Sequence, residues 1–272
     1  MSPEQIKKII AEKVEGKWQA EHDASGHHYR HIPTNILVDS VTTKLIAEKP
    51  HLLKWSISKA IEWLEQYDRW ERLKGPDRSL MLLGSQEAYT EFRDDAGSVG
   101  SAAHQVAENF LNYRIEKGFW PEDIRKGFKD GADPRAIASA RSIEMILKKL
   151  DVIPISSELL VGSIRHRIAG TLDLLALIDN KLSLIDFKTS NAVSDEYANQ
   201  VAAYKYCFEE MSGLKIKTVK IFHLSKKYDK CIVYNVPNLP SAYKAYKGIA
   251  TFYDWFNNGK EKLEKDIKKI VL

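Results

Sequence analysis

With 272 residues, 44% of them hydrophobic and 29% charged, the chain can bury a substantial core, either as one large domain or as a core with an extension. Its 41 Lys and Arg against 37 Asp and Glu leave a net charge of +4, mild enough to permit a nucleic-acid partner without requiring one. Two cysteines, Cys207 and Cys231, exclude a disulfide framework and a four-cysteine metal centre, and no uninterrupted apolar run has the length of a bilayer.

The N-terminus is polar and amphipathic and lacks the apolar core of a signal peptide, so a reducing, cytoplasmic setting is expected. Pro3 to Val14 is predicted to be a helix: Ser2 is placed to cap it, Pro3 stands in its first turn, and Ile6, Ile9, Ile10 and Val14 recur at helical spacing. Gly16 to Pro33 reads as an irregular polar loop; its histidines, His27, His28 and His31, lack the cysteine or the i,i+4 pairing that would argue for a metal. Pro50 interrupts the next stretch, and a helix is predicted from about His51 to Leu73, before Gly75-Pro76. Its Trp55, Trp63 and Trp70 read as core residues; beside Lys54, Lys59 and Arg69 they have stacking on bases as the alternative role.

Two further helices are predicted, Ser79 to Asp95 and Val99 to Lys117, parted by Gly97-Ser98-Val99-Gly100. The second has an apolar stripe of Val99, Ala103, Val106, Ala107, Phe110 and Leu111, with His104 and Glu108 one turn apart at its border. Pro134 to Leu150 is a further amphipathic helix. The texture changes at Ile155, where Ser156 to Ile164 reads as a strand. It is followed by the apolar runs Leu172 to Ile178 and Leu182 to Phe187, joined by Asp179-Asn180-Lys181 as in a β-hairpin. A helix from Ser194 to Met211, strands at Lys217 to Leu224 and Lys230 to Val236, and a helix from Ser241 to Phe256 follow. Gly259 to Lys269 reads as a solvated helix.

The hairpin carries the chemistry. Asp173, Asp186 and Lys188 stand in otherwise buried strand text, and alternation puts Asp186 and Lys188 on one side with Phe187 on the other. Charged groups there are costly without partners or a metal. Asp173 and Asp186 on adjacent strands can share a divalent cation such as Mg²⁺, with Glu158 as a further carboxylate and the Phe187 carbonyl as an oxygen ligand. Lys188 can orient or help deprotonate a water, or offset charge on a phosphorane. Asp-x-Lys alone is as consistent with a surface ion pair of little energetic weight. Gly170-x-x-Asp173, thirteen residues before Asp186, and Thr189-Ser190 directly after Lys188 make the set specific.

The order His104, Glu158, Gly170-Thr-Leu-Asp173, Asp186-Phe-Lys188-Thr189 and Gln200-x-x-x-Tyr204 resembles the PD-(D/E)xK nuclease superfamily, and within it the RecB-like branch that includes the mitochondrial genome maintenance exonuclease and phage exonucleases. Ser40 to Trp55 and Gly97 to Glu108 are similar to segments preceding that branch's core. The resemblance implies an α/β fold with a restriction-endonuclease-like core, a mixed central sheet flanked by helices. A helical region over residues 1–95 would thread or bind DNA, and residues 96–272 would form the nuclease core. It implies Asp173 and Asp186 as metal ligands, Lys188 as the catalytic lysine and His104 as a helix histidine near the metal. Glu158 takes the place of the family's first, least constant acidic residue. Gln200 and Tyr204 would position the site and its DNA; Thr189, Ser190, Ser40 and Thr42 would contact DNA.

The expected activity is a Mg²⁺- or Mn²⁺-dependent DNA exonuclease favouring single strands with a free end, monomeric and without the four-cysteine iron–sulfur cluster of some relatives. The rivals are a structure-specific or restriction-like endonuclease, and a nuclease-fold DNA-binding protein acting only with a partner. Any helicase partner would be a separate subunit, because the chain has no phosphate-binding Gly-rich loop.

Overall fold

The computed structural model describes residues 1–23, 26–45 and 50–259. Helix α1 (Pro3–Lys13) begins with a capping box, in which the Ser2 hydroxyl accepts from Gln5 N and the Gln5 side chain accepts from Ser2 N. Strands β1 (Trp18–Asp23), β2 (Gly26–His31) and β3 (Ile36–Ser40) then form an antiparallel meander. The short α2 (Val41–Lys44) and α3 (Pro50–Leu64) lead to α4 (Gly75–Lys117), 43 residues long, and α5 (Pro134–Lys149) follows. Next come β4 (Ile153–Ser163), β5 (Ile168–Ile178), β6 (Lys181–Lys188), α6 (Glu196–Ser212), β7 (Thr218–Leu224), β8 (Cys231–Asn235) and α7 (Leu239–Asp254).

The eight strands form one mixed sheet, ordered β1-β2-β3-β5-β6-β7-β8, with β4 paired to β5 off that path. Strand β4 covers one edge of β5 along nearly its whole length. The other edge is shared: β3 pairs in parallel with Ile168 and Ala169, and β6 pairs antiparallel from Leu174 to Ile178. Between these partners, Gly170 to Asp173 face a fork in the sheet. The β5–β6 connection is the tight turn Asp179-Asn180, both residues at positive φ as a type I′ turn demands.

Helices cover both faces. Val201, Ala202, Tyr204 and Phe208 of α6 pack with α1 and α7 on Leu172, Leu175, Leu184 and Ile221. On the opposite face Ala107 and Leu111 of α4 and Ile143 and Leu147 of α5 cover Leu174, Ile185, Phe187 and Phe222. The result is a restriction-endonuclease-like α/β/α arrangement. No helix among the described residues is long and apolar enough to cross a membrane.

Three elements differ from the sequence expectation. The stretch read as irregular, Gly16 to Pro33, contains β1 and β2, so the N-terminal region is not wholly helical. Of its cross-strand partners, Trp18 meets His31 at a tilt at 4.8 Å and His22 stacks on His27 at 3.9 Å. Histidines here occupy the alternating positions where an apolar residue would have signalled a strand. Helix α3 stops at Leu64, short of the predicted Leu73, and only a 3-10 turn at Trp70–Arg72 follows. The two predicted helices of 79–117 are one, running unbroken through Gly97 and Gly100, so the boundary expected between residues 95 and 96 falls inside α4. The predicted tail helix lies, beyond residue 259, outside the described residues.

Half of α4 belongs to the sheet. The predicted stripe Val99, Ala103, Val106, Ala107, Phe110 and Leu111 is buried, whereas only Ser85 and Ala88 are buried in the N-terminal half, which packs along α3. Trp55 meets Tyr89 edge-on at 5.2 Å there, and a Cβ on Gly84 would come within 2.5 Å of Trp63.

Candidate active site

The fork in the sheet gives Asp173 its position. With β6 not yet paired at this level, Oδ2 of Asp173 accepts a hydrogen bond from the Phe187 backbone N–H at 2.6 Å, so a side chain takes over where the strand ladder lapses. Across the other edge, Glu158 lies between the pairs Ser157–Leu174 and Leu159–Leu172. Its φ is +47°, a left-handed conformation in mid-strand that costs on the order of 1–3 kcal/mol for a residue other than glycine. The adjacent Ser157 hydroxyl donates to Asn112 Oδ1 of α4 at 2.8 Å, tying that helix to β4 beside the site.

Helix α4 brings His104 to the same point. Its Nδ1 lies 3.8 Å from Asp173 Oδ1, and its ring meets the Phe187 ring edge-on at 6.0 Å. One ligand atom each from His104, Glu158 and Asp173 fall within 4.8 Å of one another, a grouping able to hold a cation. A cleft of about 400 Å³ opens beside them, lined by Gly100, Ser101, His104, Gln105, Glu108 and Glu158.

Asp186 and Lys188 leave β6 on the α6 side. The ammonium of Lys188 is 2.8 Å from Asp186 Oδ2 as an ion pair and stands 4.9 Å over the Tyr197 ring. Asp186 is 1% exposed, and neither of its oxygens has a protein hydrogen bond of good geometry. Burial raises its pKa, Lys188 opposes that rise, and Asp173 adds to it. For Lys188 burial acts to lower the pKa, but Asp186 and Asp173 outweigh it, and the group is held above its ordinary value as an ammonium. Glu158 is pushed up to about 8, by burial first and then by the charges of Asp173, Glu108 and Asp186. A buried carboxylate with unsatisfied oxygens, amid other carboxylates that repel one another, fits a divalent cation: the donors are oxygens and one imidazole, and a cation would relieve the repulsion.

Gln200 and Tyr204 lie buried beneath this centre. Gln200 Nε2 donates to Tyr204 Oη at 3.0 Å, and the Tyr204 ring lies against Gly170, where a Cβ would come within 2.5 Å of it. The Gly in Gly170-x-x-Asp173 is therefore the bed of Tyr204. Thr189 Oγ1 packs against Gly100 of α4, 3.0 Å from where a Cβ would stand. The Ser190 hydroxyl donates to the Ala192 carbonyl. Ser40 and Thr42 lie at the far arm of the fork, where Ser40 Oγ caps α2 by accepting from Thr42 N at 3.1 Å.

Thus the fold gathers His104, Glu158, Asp173, Asp186, Phe187 and Lys188, seats Gln200 and Tyr204 under them, and pairs Ser40 with Ala169 at the start of the fork. Two neighbours escaped the sequence reading of the site. Glu108 lines the cleft one turn after His104, a spacing visible in the sequence, and Tyr197 under Lys188 stands one turn before Gln200.

Residues 78–265 match the PD-(D/E)XK nuclease superfamily. Among solved structures the chain is similar to an alkaline exonuclease (LHK-Exo) from Laribacter hongkongensis, with 10% identity and a TM-score of 0.34 over 62% of this chain and 93% of that one. It is similar also to SSO0001, with 13% identity and a TM-score of 0.28 over 56% of this chain and 74% of that one. No curated protein matches.

Proposed function

Because the chain belongs to the PD-(D/E)XK nuclease superfamily, we propose that it is a divalent-metal-dependent DNA exonuclease of the RecB-like kind, acting on single-stranded DNA from a free end. The observation that carries this reading is the convergence of His104, Glu158 and Asp173 within 4.8 Å, beside the Lys188–Asp186 pair, at one fork of the sheet.

His104, Glu158, Asp173 and Asp186, with the Phe187 carbonyl, would hold Mg²⁺ or Mn²⁺. When bound, the cation neutralises phosphate charge and lowers the pKa of water to supply the nucleophile. The chain's own groups do the rest. Lys188, held in place beside Asp186, places a positive charge where negative charge develops on the phosphorus oxygens. Its contacts with Asp186 and Tyr197 fix the ammonium before substrate arrives, so little reorganisation is needed. Thr189, directly after Lys188, would donate a hydrogen bond to the same phosphate, and Ser190 would do so on releasing the Ala192 carbonyl. Gln200 and Tyr204 act as positioning residues, holding Gly170 and through it the strand that carries Asp173.

End-labelled linear single-stranded DNA, digested beside its circular form with Mg²⁺ or Mn²⁺, tests the proposal, with EDTA and Lys188→Ala as controls. Metal-dependent loss of the linear form alone is expected, and the labelled end gives polarity. Cutting of both forms would make the enzyme an endonuclease. Equal behaviour of wild type and Lys188→Ala in every DNA assay would remove catalysis from this site.

A further inference from the structure

The active-site end of β6 continues into a second groove. In the parallel β6–β7 pairing His223 is opposite Lys188, and His223 Nε2 lies 2.6 Å from the Ser190 carbonyl oxygen, tying the segment that leaves β6 to β7. Directly after β7 comes the turn Ser225-Lys226-Lys227-Tyr228-Asp229-Lys230. A groove of about 350 Å³ separates this turn from Ser190 and Asn191.

The turn is rigid by construction. Ser225 N donates to the Lys230 carbonyl at 2.9 Å, and the Ser225 hydroxyl accepts from Lys227 N and Tyr228 N at 3.2 and 3.1 Å. It is fastened to α5 by the Arg141–Asp229 ion pair at 2.6 Å and by Ser142 Oγ donating to the Tyr228 carbonyl at 3.2 Å. Arg141 thus engages the turn's acidic residue. Arg135 engages Asp95 and Asp133, the carboxylates nearest Lys226, at 2.7 and 2.6 Å. Among the described residues no carboxylate is within ion-pair distance of Lys226, Lys227 or Lys230. The Tyr228 side chain, on this fixed backbone, is 70% exposed. Apolar burial does not account for it.

Uncompensated ammonium groups around an outward aromatic ring, on a pre-ordered turn, match an unpaired nucleic-acid strand, which offers phosphates at regular spacing and free base faces. We infer that the β7–β8 turn is a strand-holding site of this enzyme, in which Lys226, Lys227 and Lys230 contact backbone phosphates and Tyr228 stacks on a base, a few nucleotides from the phosphate being cut. The inference rests on the proposed nuclease reading and extends it to the face along which the substrate lies. The turn starts two residues past the level of Lys188, so its tip is on the order of 10–15 Å from that ammonium. Burial and the nearby Arg135 lower the pKa of Lys226, so an arriving phosphate relieves a strained positive charge.

The test is fluorescence anisotropy with a labelled single-stranded oligonucleotide and, separately, a blunt duplex of the same length. All proteins carry Lys188→Ala and are held in EDTA, so that cleavage is suppressed, and thermal melts verify that each is folded. Lys226→Ala/Lys227→Ala/Lys230→Ala is expected to weaken single-strand binding at least tenfold at low salt and to flatten the log K against log salt slope by about 2, three phosphate contacts at roughly 0.7 each. Tyr228→Ala is expected to weaken single-strand binding about five- to a hundredfold without changing the slope, and to leave duplex binding unchanged. If the triple variant keeps wild-type affinity and slope, the turn holds no phosphates and the inference fails. If Tyr228→Ala weakens the duplex equally, the stacking role fails. Should the turn variants lose binding while the enzyme with Lys188 intact cuts no DNA under any metal, the nuclease reading fails and the binding surface stands.

Discussion

Lys188 is clamped between a carboxylate and an aromatic face before any substrate is present, so removing it takes away a positioned charge and leaves Asp186 buried beside Asp173. Lys188→Ala is expected to lower the cleavage rate about 10²–10³-fold, measured under single-turnover conditions with end-labelled DNA. Glu158 supplies a pH signature. Its folded pKa, about 8, is above its unfolded value, so the folded state binds its proton more tightly. The stability this contributes is complete below the ordinary carboxylate range and is lost as pH rises through about 8. In EDTA the melting temperature of wild type should fall between pH 6 and pH 9 more than that of Glu158→Gln; parallel curves would contradict it. At this scale much was legible. Asp-x-Lys, with Gly-x-x-Asp thirteen residues before it, picked out Asp173, Asp186 and Lys188, while His104 came from the family resemblance. The left-handed φ of Glu158 was not, because nothing in Ser156-Ser157-Glu158-Leu159 signals it; the conformation is imposed where β4 passes the fork.

The elements divide the same way. The β5–β6 hairpin could be read because Asp179-Asn180 is a turn with a mechanism and its flanks are apolar. Strands β1 and β2 could not, since histidines fill their alternating positions and their pairing with β5 through β3 is long-range. Gly97 and Gly100 looked like a helix break because each glycine costs a helix about 1 kcal/mol relative to alanine. Tertiary contact overrides that cost: Gly100 is where α4 comes close enough to touch Thr189. Gly170 plays the equivalent part between β5 and α6. Gly170→Val is expected to destabilise the protein by about 1–3 kcal/mol, as Tyr204 is driven from its bed, with a loss of cleavage larger than the loss of folded protein. Chemical denaturation beside a cleavage assay checks both, and an unchanged midpoint would mean that Tyr204 can move freely.

For the whole molecule, the site draws on both helical layers and on the sheet between them. His104 comes from one helical face, Lys188 points to the other, and the carboxylates lie on three neighbouring strands. A cation bound there ties these parts together in the folded chain alone, so Mn²⁺ at a hundred times its dissociation constant should add about 2.7 kcal/mol of stability. Differential scanning fluorimetry should show this as a rise in melting temperature that is lost in Asp173→Asn; an equal rise in that variant would place the metal elsewhere. The fork also bears on how the chain is made. Strand β3 finds its partner residues in β5 about 130 positions further along. At a ribosomal pace of roughly 5–20 residues per second, the finished meander waits roughly 6–26 s with one edge open before β5 emerges. The newborn chain therefore passes through a period in which β3 can be claimed by any other strand.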